Sequence, residues 1–133
     1  MQRVLGIWQG GERIDISLSN GMEIVVDENG PKSTDLVLAG LVNCSTGVLL
    51  TVLNKMRVTI KGLEIETEAE RATERPKIFT KINLIYRVEV DEGLETKVVN
   101  AVKLGEKYCT VYNVLRPGTN IEVSCYTNGI KQF

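Results

Sequence analysis

The chain has 133 residues, of which 43% are hydrophobic and 25% are charged, and its formal net charge is −1. These values predict a single soluble globular domain over residues 1–133, with no general attraction to nucleic acid or to a membrane surface. The three cysteines and the absence of histidine exclude a Cys-His or Ser-His catalytic pair within the chain. Because the cysteines are scattered and odd in number, we expect no metal site, no cofactor and no structural disulfide framework.

The N-terminal segment predicts three strands. Residues 4–8 and 13–18 form the first two, and the residues "QGGE" form the turn between them. The "NG" pair at Asn20 is typical of a hairpin turn, so residues 22–26 are expected to form a third strand. The opening residues "MQRVLGIWQG" contain a charge and no apolar run of signal-peptide length, so we expect a cytoplasmic protein.

The central segment predicts a long helix that is apolar on all sides, because no charge occurs from Leu36 to Asn54. Ser33 or Thr34 can cap its start, and we expect it to run to about Ile60, where Gly62 can stop it. A membrane-spanning helix needs about 20 predominantly apolar residues. This segment contains several glycines and polar residues, which favours an interior helix of a domain or dimer over a membrane span.

The remaining segments alternate between predicted strands and helices. Residues 63–71 place glutamates at every second position, which predicts the solvent-facing side of a sheet more strongly than a cation site. A long strand is expected over 77–90, and Asp91 can cap a helix over about 92–107. A short segment over 109–115 and a last strand over 120–127 complete the chain.

The three cysteines occupy different predicted settings. Cys44 lies in the middle of the central helix, Cys109 lies where one helix ends and another begins, and Cys125 lies in the last strand. A helix N-terminus stabilises a thiolate, which makes Cys109 a candidate reactive thiol. Free cysteines are, however, commonly small buried apolar residues, and the spacing alone leaves both interpretations open.

Two cysteine-containing stretches carry a family resemblance. "TDLVLAGLVNCSTGVLLTVL", followed by "AVKLGEKYCTVYNVL", resembles the OsmC/Ohr family of thiol-dependent hydroperoxide reductases. "IWQGGE" and "ERPKIFTKINLIYRV" resemble further parts of the family pattern, so the similarity covers nearly the whole chain. "EKYCTV" is most similar to a less characterised subgroup of OsmC-like proteins.

The resemblance implies a fold, an assembly and a reaction. The fold is α+β, a two-layer arrangement of an antiparallel sheet packed around a long central helix, in an intertwined homodimer. The reaction is reduction of an organic hydroperoxide, a function connected with oxidative stress. Cys44 corresponds to the cysteine that becomes a sulfenic acid, and Cys109 to the one that then forms a disulfide with it. A dithiol reductant resets the pair. Arg13 corresponds to the catalytic arginine.

One position departs from the family pattern. Aligning Leu36 and Cys44 places Thr34 where the peroxidases carry a glutamate that holds the arginine. The neighbouring Asp35 is nine positions before Cys44 and points to the opposite side of the helix. The alternative hypothesis is therefore a non-catalytic OsmC-like dimer that binds an apolar small molecule and keeps Cys44 for packing.

Overall fold

The computed structural model describes all 133 residues, which divide into two compact units, Met1–Val37 and Leu38–Phe133. Each unit has its own sheet, and the long helix α1 begins in the first unit and continues through the second. The α+β class is confirmed by these sheets and helices. That the whole chain acts as one domain stays a prediction.

The first unit contains a three-stranded antiparallel sheet in the order β1-β2-β3. Its strands confirm the predicted ones and are β1 Leu5–Gly10, β2 Arg13–Ser17 and β3 Glu23–Val26. The turn between β1 and β2 needs glycine, because Gly10 and Gly11 have φ angles of 97° and 57°. No side chain of this unit is fully buried.

Helix α1, Ser33–Lys55, is 23 residues long and ends earlier than predicted. Arg57 adopts a left-handed φ of 60°. The N–H of Val58 then donates to the carbonyl of Leu53 at 2.9 Å, and that of Arg57 donates to Asn54 at 3.0 Å. These two bonds form a Schellman motif, which closes the helix before the expected end at Ile60. The prediction that Gly62 ends the helix is therefore wrong.

By length and composition α1 could cross a membrane, since its best window has a mean hydropathy of 2.1. Core helices of globular proteins meet the same criterion. Several of its side chains belong to the core of the second unit, among them Leu41, Leu49 and Leu53.

The second unit contains a four-stranded sheet in the order β4-β5-β6-β7. The strands are β4 Ile60–Arg71, β5 Phe79–Val90, β6 Asn120–Thr127 and β7 Ile130–Lys131. The pairs β4–β5 and β6–β7 are antiparallel, but β5–β6 is parallel. The chain crosses over between β5 and β6 through α2 Glu95–Tyr108 and α3 Thr110–Leu115, which makes the sheet mixed where antiparallel pairing was expected.

The alternation predicted for β4 is confirmed. Leu63, Ile65 and Ala69 pack against the core, while the glutamates between them are exposed. No group of acidic residues or cysteines is arranged to hold a metal ion. Gly62 lies inside the strand, where an added Cβ would come within 3.3 Å of the Glu89 carboxylate.

Two boundaries near the C-terminus differ from the predictions. Asp91 does not cap α2, because its carboxylate pairs with Lys61 at 2.8 Å and the helix starts at Glu95. The short strand β7 was missed. Asn128 and Gly129 have left-handed φ angles of 50° and 81°, the conformation of a two-residue hairpin turn, so the "NG" pair signalled it.

The core lies in the second unit and combines α1, the sheet and α2. Strand β5 supplies every second residue to it, and α2 supplies one face. The fully buried members with the largest side chains are Tyr86, Leu41, Leu49, Leu53, Ile82, Leu84, Val88, Val98 and Val102. This core surrounds the inner side of α1 at the level of Cys44 and its neighbour Ser45.

Candidate active site at a cysteine pair

Two adjacent residues of α1 differ in exposure. The Cys44 side chain is partly accessible, whereas the neighbouring Ser45 is only 2% exposed. Successive residues of a helix are turned by about 100°, so one can face the core while the other reaches its edge. This placement gives a thiol that a small reactant can approach beside a hydroxyl that water does not reach.

Cys109 lies between α2 and α3, as predicted, and is 1% exposed. It is the N-cap of α3, and its Sγ accepts a hydrogen bond from the backbone N–H of Tyr112 at 3.4 Å. The Asn113 side-chain amide lies 2.8 Å from the Cys109 carbonyl and 3.0 Å from that of Glu106. The link between the two helices is thereby fixed, and with it the position of the thiol.

The Cys44 and Cys109 thiols influence each other's ionisation. Burial opposes ionisation of Cys44, but hydrogen bonds from the Val111 N–H, the Cys109 thiol and the Thr110 N–H outweigh it and lower the pKa of Cys44. Burial raises the pKa of Cys109, and the neighbouring Cys44 raises it further. The pair therefore favours a thiolate on Cys44 and a protonated thiol on Cys109.

This division of roles corrects one sequence-based expectation. The start of α3 was associated with a thiolate on Cys109 itself. In the structure the Thr110 and Val111 N–H groups lower the pKa of Cys44, while Cys109 acts as the neutral donor. Sequence spacing could not reveal this, since the contact joins residues of two helices far apart in the chain.

Sequence reasoning also missed two polar neighbours of the pair. The Ser45 Oγ lies 3.8 Å from the Cys109 Sγ. Tyr86, on β5, is 2% exposed, and hydrogen bonding from Ser45 partly offsets the effect of burial on the pKa of its phenol. Burial raises the pKa of Tyr86 to about 12, so its hydroxyl stays protonated at any physiological pH. The sequence signal for Ser45 was its position directly after Cys44. No sequence signal pointed to Tyr86.

Cys125 has a different setting. It is fully buried on β6 and makes no side-chain hydrogen bond. Burial raises the pKa of Cys125 to about 11, which keeps it a neutral thiol.

Arg13 lies in the first unit, at the start of β2. Its guanidinium donates to both carboxylate oxygens of Asp15, at 2.9 and 3.3 Å. Hydrogen bonding and charge from Asp15 raise the pKa of Arg13. The carboxylate partner of Arg13 is thus Asp15, two residues further along β2. Thr34, the position where the peroxidases carry a glutamate, lies much later in the sequence. Its role in catalysis stays a prediction.

An apolar cavity of about 520 Å³ lies along α1 and α2. It is lined by Gly47, Val48, Thr51, Val52, Lys55, Met56, Leu104 and Tyr108. Val48 follows Cys44 by one helical turn and Tyr108 precedes Cys109 in the chain, but neither cysteine lines the cavity. A larger cavity of about 730 Å³ around Arg87 and Glu89 is more polar and contains no cysteine among its lining residues.

The fold and the site together define an α+β protein in which a long, apolar helix presents a cysteine to a second cysteine at a later helix start. The chain belongs to the OsmC-like protein family, whose model matches residues 26–124. It is 32% identical to Protein YhfA of Escherichia coli over 108 residues, which cover 77% of this chain and 81% of that protein.

Solved structures share the fold. A hypothetical protein from Aquifex aeolicus superposes with a TM-score of 0.85 at 28% identity, over 96% of each chain. An organic hydroperoxide resistance protein OsmC from Legionella pneumophila superposes with a TM-score of 0.71 at 13% identity, over 95% of this chain and 96% of that one. At that identity the second similarity concerns the fold alone.

Proposed function

We propose that the protein is a thiol-dependent peroxidase that reduces organic hydroperoxides. The observation that carries the proposal is a partly accessible Cys44 on α1 together with a buried Cys109 at the start of α3, in a setting that lowers the pKa of Cys44 through hydrogen bonding from the Val111 N–H, the Cys109 thiol and the Thr110 N–H. A nucleophilic cysteine needs its thiolate form, and these donors favour it. Organic hydroperoxide resistance proteins share this fold, and the proposed reaction is the one that their name indicates.

The first step is attack of the Cys44 thiolate on the terminal oxygen of the hydroperoxide. A sulfur–oxygen bond forms as the oxygen–oxygen bond breaks, so sulfur is oxidised and the peroxide is reduced. The departing alkoxide takes up a proton and leaves as an alcohol. Cys44 becomes a sulfenic acid.

The second step joins the two sulfurs. Cys109 attacks the sulfenic sulfur, the sulfur–oxygen bond breaks, and the hydroxide leaves as water with the proton of the Cys109 thiol. An external dithiol reductant, itself oxidised to a disulfide, then restores both thiols.

The apolar cavity along α1 and α2 supports a hydroperoxide with a fatty or aromatic body. Its walls are mostly hydrocarbon, with Val48, Met56 and Leu104 among them, and the single charge is Lys55 at the end of α1. An apolar substrate would gain about 25 cal/mol for each Å² of surface removed from water there.

A homodimer is part of the proposal. The first unit exposes apolar side chains on its small sheet, and α1 exposes Val37 and Leu50. Contiguous exposed apolar surface commonly marks a protein interface. We expect a dimer that buries more than about 2,000 Å² in total, within the range of obligate interfaces.

The alternative is a non-catalytic dimer that binds an apolar small molecule. It is favoured by Thr34, which replaces a carboxylate of the peroxidases, and by the lining of the apolar cavity, which contains no cysteine. In that case Cys44 would be oxidised no faster than an ordinary thiol.

Turnover of an organic hydroperoxide with a dithiol reductant distinguishes the peroxidase from the non-catalytic binding dimer. Cys44→Ser should abolish turnover, Cys109→Ser should stop the reaction at a sulfenic acid on Cys44, and Cys125→Ser is the matched control with parental activity. Peptide mapping after one equivalent of peroxide should find a Cys44–Cys109 disulfide. A parent protein whose Cys44 remains reduced after that treatment would establish the binding alternative.

A further inference from the structure

A polar cavity of about 490 Å³ lies along α2 and α3. It shares no lining residue with the apolar cavity and includes no cysteine. Three of its lining residues are cations and one is a carboxyl group, whereas the whole chain has a net charge of −1. The cavity is therefore a local concentration of positive charge on a nearly neutral protein. The residues that line it are Lys103, Glu106, Lys107, Tyr112, Asn113 and Arg116.

None of the three cations belongs to an ion pair. The Lys103 ammonium lies 5.2 Å from the centre of the Phe133 ring, and that of Lys107 lies 5.7 Å from the centre of the Tyr108 ring. An aromatic face attracts a cation without neutralising its charge. The cavity therefore keeps three positive charges that no carboxylate pairs with. The four ion pairs of the structure lie elsewhere: Arg13–Asp15, Lys61–Asp91, Lys81–Glu122 and Arg87–Glu66.

Arg116 is positioned by Asn113. The Asn113 amide nitrogen lies 2.8 Å from the Cys109 carbonyl oxygen and 3.0 Å from that of Glu106, which fixes the amide between α2 and α3. The amide oxygen accepts a hydrogen bond from the Arg116 Nε–H at 3.0 Å. This is the only hydrogen bond of the guanidinium within the protein, so its two terminal nitrogens keep their donors. Two such groups in one plane match two oxygens of a phosphate or carboxylate group.

We propose that this cavity binds a small molecule that carries a doubly charged oxyanion, either a phosphate group or a pair of carboxylates. The terminal nitrogens of Arg116 would bind two oxygens side by side. Lys103 and Lys107, four residues apart on the same face of α2, would add two point charges. A volume of about 490 Å³ is within the range of small-molecule sites.

Glu106 distinguishes a binding site from a solvated cluster of cations. It is half-buried, and burial raises the pKa of its carboxyl group. As an anion it would repel the ligand. Glu106→Gln keeps the size of the side chain and removes the charge, so it should lower the dissociation constant of the anion roughly threefold.

The test is a titration of the isotopically labelled full-length protein with sodium phosphate or with succinate at constant ionic strength, followed by backbone amide NMR signals. Signals of Tyr112, Asn113 and Arg116 should shift along saturating curves with one dissociation constant. Arg116→Gln should raise this constant roughly tenfold, and Arg116→Lys, which keeps the charge without the paired donors, roughly threefold. Lys97→Gln, at an exposed lysine of α2 outside the cavity, is the matched control and should leave it unchanged.

Each outcome supports or overturns the proposal, and none depends on hydroperoxide turnover. Saturation with either anion supports it, and the anion that binds more tightly identifies the charged group of the ligand. Shifts that stay linear with both anions would overturn it, as would equal losses of affinity in Lys97→Gln and Arg116→Gln. An unchanged dissociation constant in Glu106→Gln would place the anion outside this cavity and reject the site.

Discussion

The two units differ in how they hold their apolar side chains. The unit Leu38–Phe133 buries a continuous core from α1, β5 and α2. The unit Met1–Val37 buries no side chain completely, and its sheet leaves Trp8 69% exposed. A small sheet needs a covered apolar face to be stable, because the entropy of ordering the chain must be offset by burial.

This difference shows which of the candidate site residues are held in place by packing. The cysteine pair, Ser45 and Tyr86 all lie in the unit with the core, where packing fixes their positions. Arg13 lies in the unit without one, on a strand whose neighbours are exposed. A covering surface, such as the proposed homodimer, would stabilise the sheet that carries Arg13, whereas the cysteine pair lies in a unit with its own core.

The largest expected effect concerns the core. Leu49→Ala, at a fully buried site on α1, should lower the free energy of unfolding by about 2–5 kcal/mol, since it leaves a cavity. Val37→Ala, at an exposed position of the same helix, is the control and should lower it by less than about 1 kcal/mol. Denaturant unfolding measures both, and equal losses would contradict the distinction between the two units.

The next effect concerns association. Ile7→Asp places a charge on the apolar surface of the first sheet, where Ile7 is exposed. If a second copy covers this sheet, burying the carboxylate is unfavourable and the dimer should dissociate at micromolar concentration. Light scattering on Ile7→Asp beside Glu12→Ala, a change in the nearby turn, checks this. A parent protein that is already monomeric would contradict the homodimer.

A smaller effect concerns Arg13. If it acts as the family resemblance implies, Arg13→Ala should slow alkylation of Cys44 at neutral pH by roughly threefold to tenfold, because a nearby cation favours a thiolate. Thr34→Glu should raise hydroperoxide turnover by restoring the carboxylate of the peroxidases. Asp15→Asn weakens the ion pair between Arg13 and Asp15 and keeps the shape of the side chain. It leaves the charge of Arg13 unchanged and tests whether the placement of Arg13 by Asp15 matters. Unchanged alkylation in Arg13→Ala would remove this residue from the site.

The smallest effect concerns Cys125 and pH. Burial raises its pKa from 9.0 to about 11, so the folded state disfavours the thiolate. Well below pH 9 the Cys125 thiol is neutral in both the folded and the unfolded state, so it adds no pH dependence to the free energy of unfolding. As pH rises towards 11, the unfolded chain ionises first and the free energy of unfolding falls. Cys125→Ala should reduce this fall, as measured by denaturant midpoints at pH 8 to 10; an identical fall in the variant would exclude the residue as its cause.

The parts predictable from sequence were those with a strong local pattern. The alternating residues of β4, the turn at "QGGE" and the placement of Cys109 between two helices were all confirmed. Each depends on neighbours within a few residues, where periodicity and turn chemistry operate.

The parts that failed depend on competition between distant groups. Arg57 takes a left-handed conformation that glycine would normally adopt, and so ends α1 before Gly62. Asp91 pairs with Lys61 instead of capping α2. The contact of Ser45 with Cys109 joins residues 64 positions apart, and no spacing in the sequence encodes it.

The parallel pairing of β5 with β6 also constrains the order in which the molecule can assemble. The antiparallel pair β4–β5 joins adjacent strands and can close locally, whereas β6 must wait for the whole α2–α3 crossover. Ser45 and Cys109, 64 residues apart, come together through that same crossover. During synthesis, the Cys44 thiol is therefore present before its partner Cys109.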